Sequence, residues 1–326
     1  MSAAVLTLLA SVLLLAAIWG PELLRRAAPA LATTPQVAVI ALTAGAVAWM
    51  AALFALGPVI AWMSTGPAWL PQRAADVCSQ CLSAATPFGD SAVSLGIPAI
   101  LPLAFPALGA VIVSAGIARE FTLLRATWRS PEAQLRNRAP EVLFGHVVRV
   151  IPDEAQFAYA LPRRRGGIVV SSGACDRLSH DELCAVLAHE REHVRKHHHI
   201  VLTLLFGLTR YCRWVPLIAA IRDAVPLYLE IAADRAAKRT VGTSSLASAL
   251  LKLGDSSRAP RSNSAVLHAS AIGAGSERVR QLIGRPPPKN SAVIAAAAVA
   301  YALTLAVAIA GIHWPYLAAL LNGCLM

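Results

Sequence analysis

Apolar residues along this chain gather into four long uncharged runs, with one mixed region between the third and the fourth. The runs cover residues 3–19, 37–63, 97–118 and 291–312. A helix needs about 20 predominantly apolar residues to cross a bilayer, so each run predicts a membrane span. A cleaved signal peptide is the alternative for the first run. No Lys or Arg precedes it, and its first basic residues, Arg25 and Arg26, come after it, which favours a retained span.

The mixed region has a different pattern. Residues 119–138 form an amphipathic run that continues the third span. Three short β-like runs follow at 147–151, 157–161 and 168–171, each bounded by turn residues. Between the last two, Pro162-Arg-Arg-Arg-Gly-Gly167 reads as a basic hairpin tip. Ser179-His-Asp-Glu182 fits a capping box and opens a helix through Leu183, Val186 and Leu187. A second helix is expected over 229–238, a loop over 254–275 and a short helix over 276–283, before Pro286, Pro287 and Pro288 end the region. Residues 200–208 are apolar but too few for a span, and suit a buried or interfacial helix.

The expected fold class is an integral membrane α-helical protein. Residues 1–118 form a membrane domain with three transmembrane helices, 119–290 an α+β domain, and 291–326 a fourth transmembrane helix with a short tail. Composition agrees: 56% of residues are hydrophobic and 14% charged, against about 25% charged in soluble domains.

Charge sets the expected orientation. Of 29 Lys and Arg, 26 lie between Arg119 and Lys289, and that region carries the whole net charge of +11. Arg25 and Arg26 sit in the first loop. By the positive-inside rule both regions are cytoplasmic, and the termini and the 66–96 loop face outward. A pI near 10 also raises nucleic-acid binding. Basic residues flanking spans already have a role against anionic lipid, so no direct nucleic-acid binding is expected. Cys78 and Cys81 form a lone CxxC on the outer side, open to three readings: a redox-active pair, half of a metal site or, by default, a structural disulfide; Cys175, Cys184 and Cys212 fall on the inner, reducing side.

His189-Glu-Arg-Glu-His193 is an HExxH sequence on the capped helix. Residues four apart share a helical face. Two imidazoles there can hold one Zn²⁺ while Glu190 acts as general base on the water that the metal acidifies. A catalytic zinc takes a third protein ligand. His199 has the spacing of HExxHxxGxxH, but Lys196 stands where that pattern has its helix-breaking Gly. The helix is therefore expected to continue, His199 to point away, and His197, His198 and His199 to form an interfacial cluster. Glu192 points off the metal-facing side and is expected to be solvated or paired with Arg195 or Lys196. The other candidate, Glu230, begins Glu230-Ile-Ala-Ala-Asp234, with Asp234 placed to fix a ligand histidine's tautomer.

Phe157-Ala-Tyr-Ala160, Ile168-Val-Val-Ser-Ser-Gly173, Leu178-Ser179, Val186-Leu-Ala-His-Glu190, His193 and Glu230-Ile-Ala-Ala-Asp234 follow in one order. Together they resemble the membrane metallopeptidases that include BlaR/MecR antirepressors, HtpX proteases and CAAX prenyl proteases. A domain between a third and a fourth span resembles the BlaR/MecR type most. The resemblance implies a zincin-like cytoplasmic domain with one zinc per chain. His189, His193 and Glu230 would be its ligands, Glu190 the base and Asp234 their support. It also implies a protein substrate added as a strand near residues 168–171, and His268 and Arg278 as counterparts of an oxyanion-stabilising pair. Only residues 313–326 follow the last run, too few for a penicillin-binding domain, so direct β-lactam sensing is not expected. Ala233 replaces the Cys frequent in antirepressors, which keeps the HtpX-like branch open.

The expected function is zinc-dependent endoproteolysis at the membrane, regulatory in character: self-cleavage, or cleavage of a cytosolic transcriptional repressor. The rivals are an HtpX-like quality-control protease, a non-enzymatic signalling receptor, and a transporter or channel. The last is disfavoured because no ionisable residue lies inside the four runs.

Overall fold

The computed structural model describes residues 2–65, 93–94, 100–135, 138–254 and 289–322. Cys78, Cys81, Cys324, His268, Arg278 and the segments expected at 254–275 and 276–283 lie wholly or almost wholly outside the described residues.

Among the described residues four helices are long and apolar enough to cross a membrane: α1 (Ser2–Leu31), α2 (Pro35–Met63), α3 (Ile100–Leu135) and α9 (Lys289–Asn322). All but α2 clearly overrun the apolar stretch that predicts them. α1 continues past Trp19 into a polar turn where Glu22 pairs with Arg25 and Arg26. The 36 residues of α3 measure about 54 Å at 1.5 Å each, well beyond a ~30 Å hydrocarbon core. Its basic second half therefore exceeds the hydrocarbon core and packs on the domain, with Leu124, Trp128 and Leu135 buried. The apolar stretch of α9 reaches Trp314 and so takes in His313, which the sequence boundary at residue 312 left out. That imidazole lies 3.1 Å from the Ala51 carbonyl oxygen of α2, and the Trp49 indole donates to Leu13 O of α1 at 3.2 Å. Two short strands, β1 (Ser64–Thr65) and β2 (Val93–Ser94), pair in parallel.

A four-stranded sheet follows α3. It comprises β3 (Glu141–Leu143), β4 (His146–Ile151), β5 (Ala158–Ala160) and β6 (Ile168–Ser171), in the order β3-β4-β6-β5. β4 and β6 run parallel; the other two pairs are antiparallel. β6 is buried along its whole length because it has a neighbour on each side. The sheet edge expected near residues 168–171 is therefore not β6 itself. The side of that strand away from β4 is occupied by β5, and among the described residues β3 and β5 are the two edge strands. β3 escaped the sequence reading because it is three residues long and closes a tight Phe144-Gly145 turn with both residues at positive φ.

Five helices complete the described region: α4 (Ser172–Arg177), α5 (His180–Arg195), α6 (His198–Leu208), α7 (Pro216–Val241) and α8 (Thr243–Gly254). The capping box at the start of α5 is present in full, with the Ser179 side chain accepting from Glu182 N and the Glu182 carboxylate from Ser179 N. The same carboxylate accepts from Ser248 Oγ at 2.5 Å and Lys252 Nζ at 2.7 Å, which fastens α8 to α5. α7 is far longer than the 229–238 expected. Pro216 begins it, where a missing N–H costs nothing, while the interior Pro226 masks its continuity in sequence.

These helices dock on the membrane bundle rather than apart from it. One buried apolar cluster joins Leu9, Leu13 and Trp49 of the spans to Ile218, Val225, Tyr228 and Ile231 of α7. The Arg235 guanidinium donates to the carbonyls of Thr33 at 2.6 Å and Ala32 at 2.8 Å, just past the end of α1. The α1–α2 turn and the sheet-bearing region thus share one face of the bundle. α6 crosses α3 at two glycines: a Cβ on Gly207 would lie 2.5 Å from Ile117 Cα, and one on Gly116 would lie 2.4 Å from Gly207 O. Beside that crossing Arg210 pairs with the buried Glu120 of α3, and Arg222 donates to Thr209 Oγ1 at 2.6 Å.

Candidate metal centre

α5 and α7 pack side by side and face each other with two pairs of polar residues. Each pair is four residues apart, hence on one helical face. α5 supplies His189 and His193; α7 supplies Glu230 and Asp234. Nε2 of His189 and Nε2 of His193 are 3.1 Å apart. Glu230 Oε2 lies 3.3 Å from the first nitrogen, and Oε1 lies 3.4 Å from the second. All three groups are at least four-fifths buried in a region otherwise lined by Leu, Ile and Ala.

The spacing fits a small cation. Zinc bound at about 2.0–2.1 Å in a tetrahedron separates its ligand atoms by roughly 3.4 Å. Two imidazoles and one carboxylate are also the donor set of a catalytic zinc with an open fourth position. The electrostatics point the same way. Burial works against charge on His189, but the carboxylates of Asp234 and Glu230, with Glu190 behind them, outweigh it and push this imidazole up to about 10. A pocket that holds a proton so firmly favours any cation that replaces it. Asp234 Oδ1 stands 3.1 Å from His189 Nδ1, on the far side of the ring, though not in full hydrogen-bond alignment.

The structure separates the three consecutive histidines. α5 stops at Lys196, and His197 takes a left-handed φ of +53°. His tolerates that conformation better than most residues, so the chain breaks here without glycine, contrary to the expected continuous helix. The break turns His198 inward and leaves His197 exposed. Nδ1 of His198 lies 2.9 Å from Nδ1 of His193, and only 4% of His198 is exposed. Burial, helped by His193, pushes its pKa down to about 3. His199 points elsewhere, with its ring edge-on to Trp128 at 5.5 Å. Sequence reasoning missed His198; its one signal was a polar residue at the start of an apolar helix.

The remaining expected residues are dispersed. Glu190 is half-buried on α5 between the two histidines, and its charge acts on His189. Glu192 leaves the metal-facing side and pairs with Arg195, but it is buried rather than solvated. Cys175, Cys184 and Cys212 carry free thiols.

The model of peptidase family M48 matches residues 139–253, the stretch that carries the sheet, α5 and the ligand-bearing turn of α7. The likeness to that peptidase family is confined to this stretch. Proteins named protease HtpX homolog, from Neisseria meningitidis serogroup C (strain 053442) and Neisseria gonorrhoeae (strain ATCC 700825 / FA 1090), are each 32% identical to this chain over 126 residues. The match covers 39% of this chain and 43% of each relative, so the chain spans less than half the length of the curated relatives it matches. No solved structure matches. Within the matched stretch, His189, His193 and Glu230 are the group of potential metal-binding side chains among the described residues.

Proposed function

We propose that this chain is a membrane-embedded, zinc-dependent endopeptidase. The observation that carries this reading is the His189–His193–Glu230 cluster on two adjoining helices of the stretch that matches peptidase family M48. His189 and His193 would each present Nε2, and Glu230 its carboxylate, to one zinc ion. A zinc ion held there supplies a Lewis acid that acidifies water and polarises a peptide carbonyl. Glu190, one residue after the first ligand, takes the proton from the attacking water and returns it to the leaving amine. Asp234 holds the His189 ring so that Nε2 keeps its lone pair for the metal.

Substrate is positioned by backbone pairing along the edge of β5 away from β6, where main-chain bonds give affinity and side-chain pockets give selectivity. β5 packs against α5, so a strand added there runs past the metal-facing side chains. Placement of the domain on the cytoplasmic side rests on Arg25, Arg26, Arg119, Arg125 and Arg129 at the ends of the spans. A role for His268 and Arg278 in stabilising the developing oxyanion stays what the family resemblance implies, as both lie outside the described residues.

In the cell the reading is regulatory proteolysis: self-cleavage, or cleavage of a cytosolic transcriptional repressor. Three spans before the domain and one after it support this. The second reading is quality control of membrane proteins, favoured by the likeness to HtpX-named proteases. Purified chain in lipid nanodiscs, with Glu190→Ala beside it and with or without a zinc chelator, tests both. Cleavage that needs zinc and Glu190 is expected. One discrete cut in a repressor or in the chain itself supports regulation; many cuts in an unfolded protein support quality control. Purified protein that binds no zinc sinks both.

A further inference from the structure

We infer that His198 is a positioning residue for His193, accepting a hydrogen bond on Nδ1 that keeps Nε2 of His193 turned to the metal. The inference rests on the metal-centre reading above and concerns what orients its second ligand. The two Nδ1 atoms are 2.9 Å apart, and the rings meet nearly edge to face, 4.7 Å between centroids. A contact this short between two ring nitrogens needs one proton and one lone pair. On the other side of the His193 ring, Nε2 faces His189 Nε2 at 3.1 Å and Glu230 Oε1 at 3.4 Å. A nitrogen that gives its lone pair to a metal carries no proton, so the His193 proton belongs on Nδ1. His198 Nδ1 must then accept it, with its own proton on Nε2.

This completes a pattern. The far nitrogen of His189 faces a carboxylate, Asp234, at 3.1 Å. The far nitrogen of His193 faces a second imidazole instead. The chain accepts a left-handed residue at His197 to bring that imidazole in, and the helix it opens, α6, is fixed to α3 through the Gly116–Gly207 crossing and the Arg210–Glu120 pair. His198 thus approaches His193 from a rigid support.

The test compares zinc affinity of the purified full-length protein, by competition with a chromophoric chelator, for wild type, His198→Leu and His198→Asn. Leu fills the space without an acceptor, whereas the Asn side-chain oxygen stands close to where Nδ1 was. His198→Leu is expected to bind zinc about 10- to 100-fold more weakly, the usual cost of losing such a partner. His198→Asn should stay near wild type. Cobalt loading gives a second readout: the visible bands should change in Leu and persist in Asn. Equal affinity in Leu and wild type overturns the inference, as does an Asn variant as weak as Leu. Should the Leu variant not accumulate, Ala against Asn makes the same comparison. Wild-type protein without zinc would be a separate result, defeating the metal-centre reading itself.

Discussion

Asp234 and His189 meet across the α5–α7 interface at 3.1 Å, carboxylate oxygen to Nδ1. Asp234 is 4% exposed and has been desolvated for this contact. Replacing it with Asn keeps the shape and removes the charge. Zinc affinity should fall about 10- to 100-fold by chelator competition, as for other outer partners of metal-bound histidine. Unchanged affinity would mean that the pair serves only to join the helices.

Glu190 and Glu230 are both carboxylates near the two histidines, yet they should fail in different ways. Glu230→Gln should abolish stoichiometric zinc. Glu190→Gln should retain one zinc per chain while peptide cleavage drops about 10²- to 10⁴-fold, the usual range for a lost proton-transfer group. Metal analysis beside a cleavage assay distinguishes the two. Loss of zinc in Glu190→Gln would move that residue among the ligands.

Glu182 ties α5 to α8, and its hydrogen bonds from Lys252, Ser248 and the Ser179 amide hold its carboxyl down to about 2. The unfolded value is near 4.3. A carboxyl depressed on folding stabilises the protein above the unfolded value and loses that effect as pH falls through the folded one. Glu182→Gln should therefore cost on the order of 1–2 kcal/mol at neutral pH. Its deficit in melting temperature should shrink as pH drops from about 4.5 towards 2. A deficit that stays constant across that interval contradicts the assignment.

Gly207→Ala should destabilise the protein by about 1–3 kcal/mol, because the new methyl meets the Ile117 backbone at 2.5 Å and backbone cannot step aside. Gly45→Ala in α2 is the control: nothing lies within 4 Å of its Cβ position, so it should be neutral or slightly stabilising. Melting curves in detergent compare the two, and equal curves would mean that α6 does not depend on the close crossing.

Much of the molecule could be read from residue order because its signals are local. Four apolar runs lead to four long helices, the Ser179–Glu182 box starts α5, and the spacing of His189 with His193 and of Glu230 with Asp234 puts each pair on one face. What escaped depends on distant partners or on rare backbone. α8 is held by Ser248 and Lys252 reaching a residue about 70 positions earlier. The break at His197 uses a conformation for which glycine is the usual sign, so a run of three histidines gave no warning that only His198 turns inward. β6 offered a clear β-like run, but its neighbours on both sides, and so the edge position of β5 among the described strands, emerge only from the pairing.

Arg235 follows Asp234 directly, and it grips the carbonyls beyond the end of the first span. The helix that supplies half of the metal centre is therefore bolted to the lip of the membrane bundle one residue away from that centre. On the function proposed above, a metal centre fixed at one height above the lipid would work as a gauge, reaching peptide bonds that lie a set distance from the bilayer or can be drawn there. If the proposed proteolysis takes place there, reach more than residue preference would decide which chains are cut, with juxtamembrane segments first in line.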